Sequence, residues 1–114
     1  MSDDVTVVRK PAPCRLDELR QLAAPPLRAA GAQRAIVFGS WARDEADGYS
    51  DLDLVVVMET DLPRAQRGQR LEALFAALPV PVDALIYTPD EFQEGEERGL
   101  GIFDALAREG VDLL

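Results

Sequence analysis

The chain has 114 residues, of which 47% are hydrophobic, and a formal net charge of −9. This size and apolar content suit a single domain, which we expect over residues 14–114 after a flexible leader over residues 1–13. The negative charge argues against direct binding of nucleic acid, whose phosphates are normally held by basic surfaces. The sequence contains no histidine, which excludes histidine-dependent triads and histidine-ligated zinc.

The sequence gives no sign of a membrane or secretory route. No apolar run approaches the roughly 18 residues that a membrane span requires. The acidic start Met1-Ser2-Asp3-Asp4 is unlike a signal peptide, and the lone Cys14 cannot form an intramolecular disulfide. We therefore expect a cytoplasmic protein with no membrane partner.

The first half of the chain predicts a helix, a strand and a short turn. One helical face carries Leu16, Leu19, Leu22 and Ala23. Pro25-Pro26 is expected to kink this helix or to start a new one, which Gly31 then ends. A strand over residues 35–38 follows, and residues 41–45 are expected to begin a helical turn.

The second half predicts two further strands joined by a crossover helix. The strands cover residues 51–58 and 82–87, and a helix begins near Pro63. The expected core stripe of that helix is Leu71, Leu74, Phe75 and Leu78. The crossover is long enough for the two strands to lie side by side, which predicts an α/β fold. A solvated face or loop is expected at Glu91, Glu94, Glu96 and Glu97. A last helix should run from Ile102 to Glu109 and close at Gly110.

Two acids at the start of the second strand are the first candidate site residues. Asp51 and Asp53 are separated by one residue, so both carboxylates fall on one face of a strand. Two charges about 4 to 5 Å apart repel by roughly 3 to 4 kcal/mol at an effective dielectric near 20. A cation between them relieves this cost, and Mg²⁺ suits such hard oxygen ligands. Taken alone, an Asp-x-Asp pair is more often a solvated edge or turn.

Gly39-Ser40 supplies a candidate phosphate cradle at the end of the first predicted strand. The missing side chain of Gly39 lets a phosphate approach backbone N–H groups, and Ser40 adds a hydroxyl donor. Arg43 adds a fixed positive charge. Without the acids, Gly-Ser is usually an ordinary turn. Trp41 has three open interpretations: it stacks on a base, it supports the turn, or it lies in an interface.

The combination of Gly39-Ser40, Ser50-Asp51-Leu52-Asp53 and Asp83 resembles the nucleotidyltransferase superfamily built on the DNA polymerase β palm. It is most similar to the minimal, single-domain bacterial members, called MNT domains. The resemblance implies a polymerase β-like fold with a small mixed sheet of three or more strands flanked by helices. One position departs from the pattern: minimal members usually carry glycine where this chain has Asp44. That residue adds negative charge close to the expected triphosphate.

The resemblance also implies the residue roles. Asp51, Asp53 and Asp83 would be catalytic and would hold two Mg²⁺ ions. The nucleotide-binding residues would be Gly39, Ser40, Arg43 and Ser50.

Minimal members are similar to the antitoxins of two-gene systems that silence an all-helical HEPN ribonuclease toxin. By that resemblance the chain would move AMP from ATP to a hydroxyl of the partner toxin, with tyrosine as the expected acceptor. A homo- or hetero-oligomer is compatible with this role. Two alternatives stay open: a weak or inactive antitoxin that acts by binding alone, and a homodimeric small-molecule nucleotidyltransferase.

Overall fold

A computed structural model describes residue 12 and the ranges 14–99 and 101–114. Apart from residue 12, the predicted leader over residues 1–13 lies outside these residues. The α-helices are α1 (Leu16–Ala30), α2 (Glu72–Ala77), α3 (Pro89–Arg98) and α4 (Ile102–Glu109). The strands are β1 (Arg34–Phe38), β2 (Leu52–Val57), β3 (Val82–Tyr87) and β4 (Val111–Asp112), and 3₁₀ segments cover Gly39–Trp41 and Arg64–Leu71.

The strands form one mixed sheet in the order β3-β2-β1-β4. Strand β2 pairs in parallel with β3, whereas β1 runs antiparallel to both β2 and β4. The predicted α/β class, with a small mixed sheet flanked by helices, is confirmed. Residues 54–57 of β2 are buried, as expected for a central strand with helices on both faces of the sheet.

The alternation of side chains along the strands separates two hydrophobic clusters. On one face, Leu54 and Val56 pack with Leu19 and Leu27 of α1. On the other face, Val55 and Val57 form a cluster with residues that include Phe92 of α3. Phe103 and Leu106 of α4 pack against this cluster. The candidate acids follow the second pattern, because Asp53 shares its face with Val55 and Val57.

The proline pair does not restart the first helix. Helix α1 is continuous from Leu16 to Ala30, with Pro25 and Pro26 inside it, so that alternative was wrong. Leu19 and Ala23 before the prolines and Leu27 after them are fully buried. Tertiary packing on both sides of the pair therefore outweighs the cost of the missing N–H donors.

The crossover differs in detail from its prediction. Residues 64–71 are a 3₁₀ segment, and the α-helix covers only residues 72–77. Leu71, Leu74 and Leu78 are buried as expected, but Phe75 is 38% exposed. The expectation for Phe75 was wrong, because a helix of this length turns only part of its apolar stripe toward the sheet.

Helix α3 carries the glutamates for which a solvated face or loop was expected: Glu94, Glu96 and Glu97 are exposed on it, and only Glu91 is half-buried. Thr88 and Glu91 form a capping box, and Pro89 occupies the first turn. Glu91 also pairs with the buried Arg67 at 2.6 Å. Strand β4 was not predicted, because two residues carry too little pattern. Within the described residues, no helix has both the length and the apolar character needed to cross a bilayer.

Candidate active site

The parallel pairing of β2 and β3 brings two candidate acids side by side. Asp53 and Asp83 are direct register partners, as the crossover length predicted. Asp51 immediately precedes β2, two residues before Asp53. Asp53 is half-buried, whereas Asp51 and Asp83 are exposed. The structure therefore assembles one sheltered and two accessible carboxylates at this end of the two strands.

Negative charge outweighs positive charge around Asp53. The pKa of Asp53 is raised, first by burial and then by the charges of Asp83 and Asp51. The charge of Glu109 raises this pKa further, and only Arg43 opposes it. A cation bound beside Asp53 would favour the ionised form of its carboxyl group.

The donor set suits a magnesium ion that is shared with a substrate. Among the residues that the structure describes, no three His, Cys, Asp or Glu side chains are arranged to surround a metal. Mg²⁺ usually takes one or two protein carboxylates and completes its shell with water and substrate phosphates. The adjacent Asp53 and Asp83 offer that kind of partial site.

Gly39 links the cradle to the acids. Its φ is +76°, a left-handed backbone conformation that residues other than glycine rarely adopt. A Cβ atom at this position would collide with the carboxylate of Asp53. The absent side chain therefore lets the backbone of the cradle lie directly against the central acid.

A tight turn follows the glycine. The N–H groups of Ala42 and Arg43 both donate to the Gly39 carbonyl, at 3.0 and 3.1 Å. The turn thus begins with Gly39–Trp41, two residues earlier than predicted, and its first turn is 3₁₀. Within the described part of the chain, the Ser40 hydroxyl has no protein hydrogen-bond partner. This hydroxyl is therefore available to hydrogen-bond a ligand of the cradle.

Trp41 and Ser50 stabilise the loop between the cradle and the acids. Trp41 is only 6% exposed, and its indole N–H donates to the Ser50 carbonyl at 3.4 Å. The Ser50 hydroxyl accepts from the Asp47 N–H at 3.0 Å and lies 3.2 Å from Asp47 Oδ1. Of the three interpretations of Trp41, support of the turn is the one that matches the structure. The hydroxyl of Ser50 is engaged in the same loop.

Asp44 has the left-handed backbone of a glycine. Its φ is +59°, and it is the one described residue other than glycine with a positive φ. Aspartate is among the few other residues that tolerate this conformation, at some cost. This left-handed conformation explains why the family pattern has glycine at this position.

Glu109 is a site residue that the sequence did not reveal. Its Oε2 accepts the Gly39 N–H at 2.6 Å, although the two residues are 70 positions apart. Arg43 Nη1 lies 3.2 and 3.1 Å from the two carboxylate oxygens of Glu109. The Gly39 N–H, followed by Arg43, holds the pKa of Glu109 below its usual range. No local motif marks Glu109, because only the docking of α4 beside β1 brings it to the cradle.

Comparison with known proteins assigns the family. Residues 18–108 match the nucleotidyltransferase domain family. Because the match spans most of the chain, the chain belongs to this family, and its domain is of the transferase class. A comparison with curated protein sequences finds no match.

Solved structures support the fold and the resemblance to minimal members. One, described as a candidate minimal nucleotidyltransferase, is 32% identical with a TM-score of 0.60, covering 87% of this chain and 96% of the other. A chain in a toxin–antitoxin structure with AMP-PNP is 20% identical to this chain with a TM-score of 0.60, and the match covers 83% of this chain and 72% of the other. A chain in the structure of a tri-AMPylated Shewanella oneidensis HEPN toxin with MNT antitoxin is 18% identical to this chain with a TM-score of 0.56. That match covers 87% of this chain and 71% of the other.

Proposed function

We propose that the chain is a Mg²⁺-dependent nucleotidyltransferase that moves AMP from ATP to a tyrosine hydroxyl of a HEPN toxin, and thereby acts as an antitoxin. The observation that carries this proposal is the placement of Gly39 directly against Asp53, with Asp83 in register beside it. The groups that donate hydrogen bonds to phosphate must lie next to the paired carboxylates if one triphosphate is to contact both.

The acids hold the metal and receive a proton. Asp53 and Asp83, which lie side by side, are the proposed shared Mg²⁺ ligands, and Asp51 is the third ligand that the resemblance implies. Bound Mg²⁺ would offset the charge of the triphosphate during transfer. The acceptor oxygen attacks the α phosphorus, the bond to pyrophosphate breaks, and the acceptor proton passes to Asp83. Its exposure suits contact with a hydroxyl from another molecule.

The cradle holds the departing phosphates. The proposed donors are the N–H of Gly39, the hydroxyl of Ser40 and the guanidinium of Arg43. Ser50 remains a predicted nucleotide-binding residue, and its contacts with Asp47 suggest that it acts by shaping the loop before Asp51. In-line attack then depends on positioning rather than on a covalent intermediate.

The proposal of a toxin partner rests on the structural neighbours and on charge. One neighbour is an AMPylated HEPN toxin with its MNT antitoxin, and another toxin–antitoxin complex contains AMP-PNP. A net charge of −9 would complement the basic surface of an RNA-cleaving toxin.

An antitoxin that acts by binding alone is the second candidate. Glu109 places negative charge beside the cradle and already occupies the Gly39 N–H, and Asp44 stands where the family pattern has glycine. Such a protein would neutralise its toxin without transferring AMP.

Label transfer separates the two candidates. The purified chain is mixed with a HEPN toxin, Mg²⁺ and ATP labelled at the α phosphate. We expect label on the toxin with the wild type and loss of more than about 99% of it with Asp53→Asn. Asp61→Asn, which makes the same chemical change at an exposed loop residue, should retain the activity. Toxin that is bound but unlabelled by the wild type would favour the second candidate.

A further inference from the structure

The carboxylate of Glu109 occupies the donors that a phosphate would need. Its Oε2 takes the Gly39 N–H at 2.6 Å, and both of its oxygens face Arg43 Nη1. Its side chain is 16% exposed and its contact with Gly39 is partly buried, whereas the Arg43 side chain is 45% exposed. A carboxylate and a phosphate accept from such N–H and guanidinium donors in the same way.

The cradle is set up for one anion to replace another. Arg43 is also held through its Nε by Glu45, at 2.9 Å, so it keeps an anchor when its Nη1 changes partner. A phosphate that displaced Glu109 would therefore find both the N–H and the guanidinium already in place. The triphosphate carries more negative charge than one carboxylate, which favours the exchange at these donors.

The exchange requires movement of a side chain rather than of a helix. Gly110 lies so close to Ile36 that an added Cβ would come within 2.9 Å of its Cγ2. The next residue, Val111, is in register with Val37 of β1. These contacts tie the end of α4 to the sheet, whereas the Glu109 side chain can rotate about its own bonds.

We propose that Glu109 is an internal competitor for triphosphate, which must leave the Gly39 N–H and Arg43 before a nucleotide can occupy the cradle. This inference rests on the proposed function and deepens it, because it makes Glu109 a residue that sets nucleotide affinity at the same site. Loss of the negative charge should tighten triphosphate binding, although the ion pair with Arg43 is removed.

Calorimetric titration tests the competition. Inorganic triphosphate and Mg²⁺-ATP are each titrated into the wild type, Glu109→Gln and the matched control Glu97→Gln. Glu97 is exposed, and its change removes the same charge. We expect the Kd of both ligands to fall about tenfold in Glu109→Gln and to change less than about twofold in the control.

The outcomes distinguish this inference from the proposed function. If the wild type binds Mg²⁺-ATP and Glu109→Gln binds it equally or more weakly, Glu109 supports the cradle and the inference is overturned, while the proposed function stands. If no variant binds either ligand, both are overturned.

A second measurement needs no variant and so does not depend on the folding of a mutant. During titration of the wild type with inorganic triphosphate, NMR follows the Gly39 amide and the carboxyl carbon of Glu109. We expect both signals to move with one midpoint. Movement of the Gly39 amide with an unchanged Glu109 carboxyl signal would overturn the inference.

Discussion

Gly39 shows how a single residue joins the two halves of the site. Replacement by alanine places a Cβ against the Asp53 carboxylate and forces a left-handed backbone on a residue that disfavours it. We expect Gly39→Ala to lower the free energy of unfolding by about 1–3 kcal/mol and to abolish triphosphate binding. Urea unfolding and calorimetry measure the two effects.

Gly68→Ala is the matched control for this substitution. A Cβ at Gly68 meets nothing within 4 Å, and its φ is not in the left-handed region. We expect this variant to unfold within about 0.5 kcal/mol of the wild type and to bind triphosphate normally. Equal losses in both variants would show that the space around Gly39 is not what matters.

The conformational cost at Asp44 can be separated from any effect of its charge. We expect Asp44→Gly to raise the free energy of unfolding by about 0.5–1 kcal/mol, because glycine adopts the observed φ of +59° without strain. Asp44→Ala removes the same charge but keeps a Cβ, so it should not stabilise the fold. If charge near the cradle limits nucleotide affinity, both variants should bind Mg²⁺-ATP more tightly. Thermal unfolding and calorimetry distinguish the two effects.

Among the secondary-structure elements, α3 has a start that is marked in the sequence. Thr88-Pro89-Asp90-Glu91 has the composition of a helix start, and the structure contains that capping box. The ion pair of Glu91 with Arg67 is different, because it joins α3 to the 3₁₀ segment across 24 positions. No local pattern predicts such a contact.

The pair between Arg67 and Glu91 predicts a pH-dependent stability. Arg67, followed by the N–H of Thr88, lowers the pKa of Glu91 from 4.5 to about 2. The ionised carboxylate therefore stabilises the fold above about pH 4.5, and this contribution is lost as the pH falls toward 2. We expect Glu91→Gln to lower the free energy of unfolding by about 1–3 kcal/mol near pH 7, with the deficit shrinking below about pH 4.5.

Glu94→Gln is the control for this effect. Glu94 pairs with Arg98 at 3.0 Å on the helix surface, where both side chains are largely exposed. We expect its removal to cost about 0.3–0.5 kcal/mol or less at neutral pH. Chemical unfolding of both variants between about pH 2 and 7 provides the comparison. A Glu91→Gln deficit that stayed constant across this range would contradict the assigned pKa.

At the scale of the whole molecule, net charge should govern how fast the proposed partner is found. If the chain of charge −9 docks on a basic toxin, its association rate should fall about tenfold or more between about 0.05 and about 0.5 M salt. The dissociation rate should change much less, because short-range contacts set it. Stopped-flow mixing measures both rates. An association rate independent of salt would argue against electrostatic steering.

Local patterns in the chain were enough to predict the strands that carry Asp53 and Asp83 and the glycine at the end of β1. Alternation and turn chemistry act between neighbouring residues, so they can be read along a single stretch of sequence. The tertiary structure decided the continuity of α1 through its prolines, the capture of Arg67 by Glu91 and the contact of Glu109 with Gly39. These depend on packing and on pairings between distant segments, whose energies no local pattern carries.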